Sequence, residues 1–178
     1  MKTKFPLLFI ILSICCINIK AQGFDSSKLI FGGDIGFAIS NSSWRVGISP
    51  QIGYKLTDKF HTGAGISYIH GESKGSDIYK YNENSIGLNL FAHYYPWKKI
   101  VLRLKPEIMY TWYKEKYVPL FSESSEMEEY TTNKFVPAVV VGGGVHLRPV
   151  MILLNYELVQ NKYSSYSDNV FLSIGFMF

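Results

Sequence analysis

The chain has 178 residues, with 18 Lys or Arg against 14 Asp or Glu and 16% aromatic residues, a size that suits one domain. Three of the basic residues, Lys2, Lys4 and Lys20, sit in a leader, so the rest is close to neutral. That excludes a case for nucleic acid or for steering of acidic substrates built on charge.

The leader is read first. Lys2 and Lys4 precede an almost unbroken apolar run over 5–19, and Lys20-Ala21 ends on a small residue. This predicts a secretory signal peptide over 1–21, cleaved near Ala21 and too short to span a membrane comfortably, followed by one exported domain over 22–178. Cys15 and Cys16 both fall inside the leader, so the mature chain is expected to hold no cysteine. Bulky Ile14 before Cys15 is at odds with a lipoprotein signal, which needs a small residue there.

Beyond the leader the hydrophobic period is two, the period of a strand. Over 29–40, Phe31, Ile35, Phe37 and Ile39 alternate with Gly32, Asp34, Gly36 and Ala38. Over 44–56 every even position from Trp44 to Leu56 is apolar and no odd position is. The same alternation continues over 60–71, 81–95, 100–117, 135–147 and 150–163, and it closes over 169–178. Tight turns are expected near residues 58, 97 and 148, and longer connections over 72–80 and 118–131. Eight strands, with short turns at one end and longer loops at the other, match the pattern of an outer-membrane barrel. The connection at 41–43 departs from it by being short.

The face opposite the apolar one identifies the solvent. It carries Gly32, Gly36, Gly47, Gly53, Gly63, Gly65, Gly87, Gly142, Gly144 and Gly175, mixed with charged and amide side chains. Glycine on a water-facing surface would only weaken the strands, whereas inside a narrow barrel it makes room for large polar neighbours. The glycine face is therefore expected inside and polar, and the apolar face toward lipid. Aromatic residues near both strand ends fit two interfacial belts.

The last strand places Val170, Leu172, Ile174, Phe176 and Phe178 on one face and stops on an aromatic. On these residues the mature chain resembles the small eight-stranded outer-membrane β-barrel proteins, porin-like and of the OmpX type. The resemblance implies an all-β, antiparallel, up-and-down transmembrane barrel in the outer membrane of a Gram-negative bacterium. It also implies that Val170, Leu172, Ile174, Phe176 and Phe178 form the signal read by the barrel-assembly machinery.

Enclosed charges need partners. Asp34, Arg45, Gln51, Asn89, Arg103, Lys105, Glu107, Asn155 and Glu157 have the inward phase and are expected to form one interior polar network. A plugged interior with a structural or surface-interaction role is the leading reading, and a narrow porin for small solutes or ions is the alternative. A lipid-modifying enzyme, built on His70, Glu72 and Ser73, is a further alternative, but the sequence fixes no catalytic arrangement. No pair among His61, His70, His93 and His146 has metal-ligand spacing on one strand, so neither metal nor cofactor is expected. Glu123, Glu126, Glu128 and Glu129 make an acidic external loop that could contact a surface ligand. The expected partners are outer-membrane lipid, the assembly machinery and such a ligand, with the protein itself a monomer.

Overall fold

A computed structural model describes residues 25–39, 43–76, 79–117, 128–159, 161, 163–166 and 170–178. The expected signal peptide, and Glu123 and Glu126 of the acidic loop, lie outside the described residues. The first described element is a single 3-10 turn, Ser26–Lys28, capped by Asp25, whose Oδ1 accepts from the Ser27 N–H at 3.0 Å and hydroxyl at 2.6 Å. Those two hydrogen bonds, the hydroxyl foremost, hold the Asp25 carboxyl below its ordinary range.

Eight strands follow: β1 (Leu29–Ile39), β2 (Ser43–Thr57), β3 (Phe60–Ser76), β4 (Tyr79–Trp97), β5 (Ile100–Tyr117), β6 (Glu128–Leu147), β7 (Val150–Glu157) and β8 (Val170–Met177). Each pairs antiparallel with its neighbours in chain order, and β1 pairs with β8 to close the barrel. The closing seam runs from Gly32 opposite Met177 to Phe37 opposite Leu172. Closure satisfies the backbone wherever the strands pair on both sides, the condition for strands to lie in lipid.

The wall sorts its side chains by phase as the alternation requires. Ile30 is 0% exposed and its neighbour Phe31 57%; Leu153 is 0% and Leu154 59%. Leaving one such side chain in water forfeits about 1.5–3 kcal/mol. An outer surface of Ile35, Ile48, Ile66, Leu88, Leu104, Ile108 and Leu172, all exposed, is thus stable only against hydrocarbon. Trp97, Tyr94 and Phe176 ring the barrel near its tight-turn end. At the other end Tyr110 stacks edge-on against Trp112 at 5.0 Å and lies 4.8 Å from Phe135, with Trp44, Tyr68 and Tyr156 at similar depth. These rings prefer the two membrane interfaces.

Strand lengths differ from the sequence expectation in one direction on one side of the barrel and in the other direction on the other. The expected loop over 72–80 is mostly ladder: β3 runs to Ser76, β4 resumes at Tyr79, and only 77 and 78 separate them. β6 begins at Glu128, so Glu128 and Glu129 are strand residues, opposite Tyr117 and Lys116, and not loop. Such polar stretches lack alternation because a strand continued past the membrane has no lipid-facing side that must be apolar. β7, by contrast, stops at Glu157, short of the expected 163, where the chain leaves the wall. The long connections are therefore 118–127 and 158–169. The strands β3 to β6 have 17 to 20 residues and β7 and β8 only 8 each, so the wall is tall on one side and low on the other.

Glycine decides the packing at one level of the interior. The Phe91 ring lies across Gly53 and Gly63, where a Cβ on either glycine would sit 2.7 Å from a ring carbon. A Cβ at Gly63 would also sit 2.5 Å from the Gly53 Cα, backbone that has nowhere to go. Gly63→Val should lower stability by about 1–3 kcal/mol and cut the yield of the compact, heat-modifiable band after refolding. Gly143→Ala, which meets nothing closer than Leu102 Cδ2 at 3.5 Å, should refold like the parent.

Candidate functional site

The alternation that turns apolar residues outward turns Asp34, Gln51, Asn89, Arg103, Lys105, Glu107, Asn155 and Glu157 inward, all buried. Arg103 on β5 reaches across the lumen to Asp34 on β1, Nη2 to Oδ1 at 2.6 Å. β1 and β5 are four strands apart either way round the ring, so this pair spans the full interior. Arg103 Nε also donates to His93 Nε2 at 3.0 Å, and Gln51 Nε2 donates to the other Asp34 oxygen at 3.0 Å.

From Gln51 the network continues through serines. Asn89 Nδ2 donates to Ser49 Oγ at 3.0 Å and to Ser67 Oγ at 2.9 Å, and Ser67 donates to Glu107 Oε2 at 3.0 Å. Lys105 Nζ lies 3.3 Å from that same Glu107 oxygen. Six of the nine expected residues thus share one connected cluster. Arg45 Nε lies 3.4 Å from Glu83 Oε2, and Ser85 reaches toward Glu83 while bonding Thr111 at 2.8 Å. Asn155 bonds Ser173 at 2.8 Å, and Glu157 is held by Ser164. Glu157 joins the large cluster through Ser164, whose Oγ also accepts from the Tyr166 N–H, and the Tyr166 side chain bonds Glu107.

The segment after β7 turns into the barrel, which the sequence expectation missed. Ser164 Oγ lies 2.7 Å from both Glu157 carboxylate oxygens, and Ser165 Oγ lies 2.6 Å from Ser85 Oγ. The Tyr113 hydroxyl donates to the Tyr163 carbonyl, Lys134 Nζ stands 4.0 Å over the Tyr163 ring, and Tyr166 stacks on Phe171 at 4.6 Å. A cavity of about 50 Å³ remains between this segment and the central cluster, lined by Asp34, Arg45, Arg103, Lys105, Ser165 and Tyr166. The run Tyr163-Ser164-Ser165-Tyr166 is short and polar, which is the signal for inward folding that alternation could not carry. Glu83 continues the inward phase of β4 and was legible by extending that strand.

The interior is not polar throughout, contrary to the sequence expectation. Toward the tight turns Ile30, Phe91, Tyr95, Val101, Met151, Leu153 and Met177 form an apolar floor. Alternation fixes which face a residue takes but not its depth, so these inward apolar residues were spread along the strands until the register stacked them. Tyr95 is flanked by His61 at 4.8 Å and His146 at 5.1 Å, with His93 at 6.4 Å, so three histidines from three strands converge. His70 lies elsewhere, its Nδ1 2.8 Å from Asn84 Oδ1 and its Nε2 3.9 Å from Glu72. His70 and Glu72 have the outward phase and Ser73 the inward one, so the three do not share a face.

The outer rim carries a second feature. β7 pairs with β6 only from Val140 to Leu147, and the Leu158 N–H adds one bond to the Val139 carbonyl. Among the described residues, β6 from Glu128 to Ala138 has backbone partners only on its β5 side. In the closing strand Val170, Leu172, Phe176 and Phe178 are exposed on the lipid face and Ile174 is half-buried.

No protein-family model and no curated protein matches the chain. Solved structures do. Ail, the attachment invasion locus protein of Yersinia pestis, matches with a TM-score of 0.50 at 11% identity, covering 84% of this chain and 95% of Ail. Neisserial surface protein A matches with a TM-score of 0.46 at 12% identity, covering 84% and 94%. The translocator domain of the autotransporter NalP from Neisseria meningitidis matches with a TM-score of 0.47 at 11% identity, covering 85% and 55%. The chain has the fold of the small eight-stranded transmembrane barrels of outer membranes.

Asp34 and Arg103 are both buried, so removing one leaves the other charge uncompensated, at a cost on the order of 3–5 kcal/mol. Arg103→Leu should lower the temperature at which the compact band converts to the unfolded one in a gel-shift series. Asp34→Asn combined with Arg103→Leu should recover part of that loss, because no lone charge remains.

Proposed function

We propose that this chain is an exported protein of a Gram-negative outer membrane, delivered by a signal peptide over 1–21, that works at its outer rim through surface contact. The observation that carries the reading is the β6 edge. From Glu128 to Ala138 the strand rises past the end of β7 and offers, on the side away from β5, main-chain groups that no described residue pairs with. An extended peptide can add to such an edge as a further strand, taking affinity from the backbone and selectivity from alternate side chains. In keeping with this, the structure matched at a TM-score of 0.50 is of an attachment invasion locus protein. The acidic residues Glu123, Glu126, Glu128 and Glu129 border this edge in sequence and would bias it toward cationic partners.

In this reading the barrel is a plugged support and not a passage. The Asp34–Arg103 brace, the inward Ser164 and Ser165, and the floor around Phe91 and Tyr95 occupy successive depths of the lumen and support closure. No catalytic role is proposed, since His70 and Glu72 face away from Ser73. The apolar, lipid-facing phase of Val170, Leu172, Ile174, Phe176 and Phe178 supports recognition by the assembly machinery, and the protein acts as a monomer with no cofactor.

Adjacent residues of a strand direct their N–H groups to opposite edges, so Thr131→Pro and Thr132→Pro separate the free edge from the β5 ladder. Both variants should keep heat-modifiable folding, and one of them should lose surface binding of peptide or cells by tenfold or more while the other loses less. Equal binding by both and by the parent would remove the edge as the contact. In planar bilayers the refolded parent should give no steady unitary currents. Steady currents altered by Glu107→Gln would instead establish the narrow porin.

A further inference from the structure

The mouth at the tight-turn end holds a cavity of about 410 Å³ lined by Lys55, His61, Tyr95, His146, Arg148 and Met177, among others. Its base is the apolar floor, and four nitrogen-bearing side chains from β2, β3, β6 and the β6–β7 turn surround it. Lys55 stands directly opposite His61 in the β2–β3 ladder, and Arg148 follows His146 by two residues. Neither Lys55 nor Arg148 makes an ion pair with any described residue.

The two imidazoles define what the cavity would accept. His61 is 6% exposed and His146 8%, and neither ring makes a hydrogen bond with a described residue. On each ring one nitrogen is fully buried without a partner, Nδ1 of His61 and Nε2 of His146. The other nitrogen of each, Nε2 of His61 and Nδ1 of His146, is not among the fully buried atoms, so the residual exposure is toward the cavity. A buried N–H with no acceptor is costlier than a buried lone pair with no donor. The neutral rings therefore carry their proton on the cavity side, and the mouth presents two N–H donors beside an ammonium and a guanidinium. Among the described residues no acidic side chain lines the cavity, the Asp58 carboxylate acting on His61 from outside it, and such a set of donors and cations repels a metal ion and suits an oxyanion with several acceptor oxygens.

From this geometry we infer that the tight-turn mouth is a binding site for a phosphate group. His61 and His146 donate from either side of Tyr95, and Lys55 and Arg148 supply the charge at the rim. The group could arrive as free phosphate or as a lipid headgroup, and the two sources differ in the tail that accompanies it. The test uses the full mature chain refolded in a maltoside detergent, with histidine ring nitrogens followed by nuclear magnetic resonance. Titration with inorganic phosphate at constant ionic strength should move the His61 and His146 ring signals saturably, while chloride does not. If only dihexanoyl phosphatidic acid saturates the shift, the source is the lipid headgroup; if inorganic phosphate also does, it is the free anion. Lys55→Gln with Arg148→Gln lies outside the packed floor and should raise the dissociation constant tenfold or more with heat-modifiable folding unchanged. Absence of saturation with both phosphate compounds, an equal response to chloride, or unchanged binding by the double variant would each overturn the site.

Discussion

One ion pair ties opposite walls of this barrel together. Asp34 and Arg103 belong to strands on opposite sides of the ring, and their 2.6 Å contact fixes the lumen's width at mid-depth. An eight-stranded barrel has room inside for little more than one filling of side chains. The Asp34 end of the pair fits because Gly175, opposite it in the seam, contributes no bulk: a Cβ there would sit 2.6 Å from Asp34 Oδ1. His93 and Gln51 each hold one member of the pair from the side. Through Gln51, Ser49 and Asn89 the same order extends to Glu107 and Lys105. Polar groups taken out of water thus find protein partners, and the interior accepts the charges that its position between two lipid leaflets would otherwise penalise.

Around that brace the interior divides by depth into different materials. Below it lies hydrocarbon and aromatic packing that needs no partner chemistry. Above it lie serine and tyrosine contacts made by a segment that has left the wall. The low wall at β7 and β8 and the inward segment are one fact seen twice, since residues that turn into the lumen cannot also lengthen a strand. On the far side β3 to β6 continue as paired sheet.

The sequence was most informative where one face of a strand meets lipid. Alternation over Trp44 to Leu56 located β2 within a residue at either end and assigned every side chain to its face. The same principle failed toward the long-loop end, where Glu72 and 79–82 pair in the β3–β4 ladder without an apolar rhythm in the sequence. It also failed at Leu158 to Tyr163, which is apolar enough to resemble strand but leaves the wall after Glu157. The membership of the interior cluster was legible from phase, because burial follows phase in a closed barrel. Its connections were not, because which residues share a depth depends on register, and register is a property of pairs of strands. That is why the meeting of three histidines around Tyr95 became visible only once the strands were aligned.

The seam between β1 and β8 differs from every other pairing in the way it must arise. Each of the other seven ladders joins strands consecutive in the chain, so a hairpin forms with little cost in loop closure. The seam joins the two ends of the domain, and it is among the shortest ladders, from Gly32 to Phe37. Closing a loop of nearly the whole chain costs more entropy than closing a hairpin, with a smaller backbone reward. Closure is therefore the late event in forming the barrel, and the curved open sheet that precedes it carries two bare edges. The ordering gives the contacts that bridge the lumen, and not only those along the wall, a part in drawing the two ends of the sheet together.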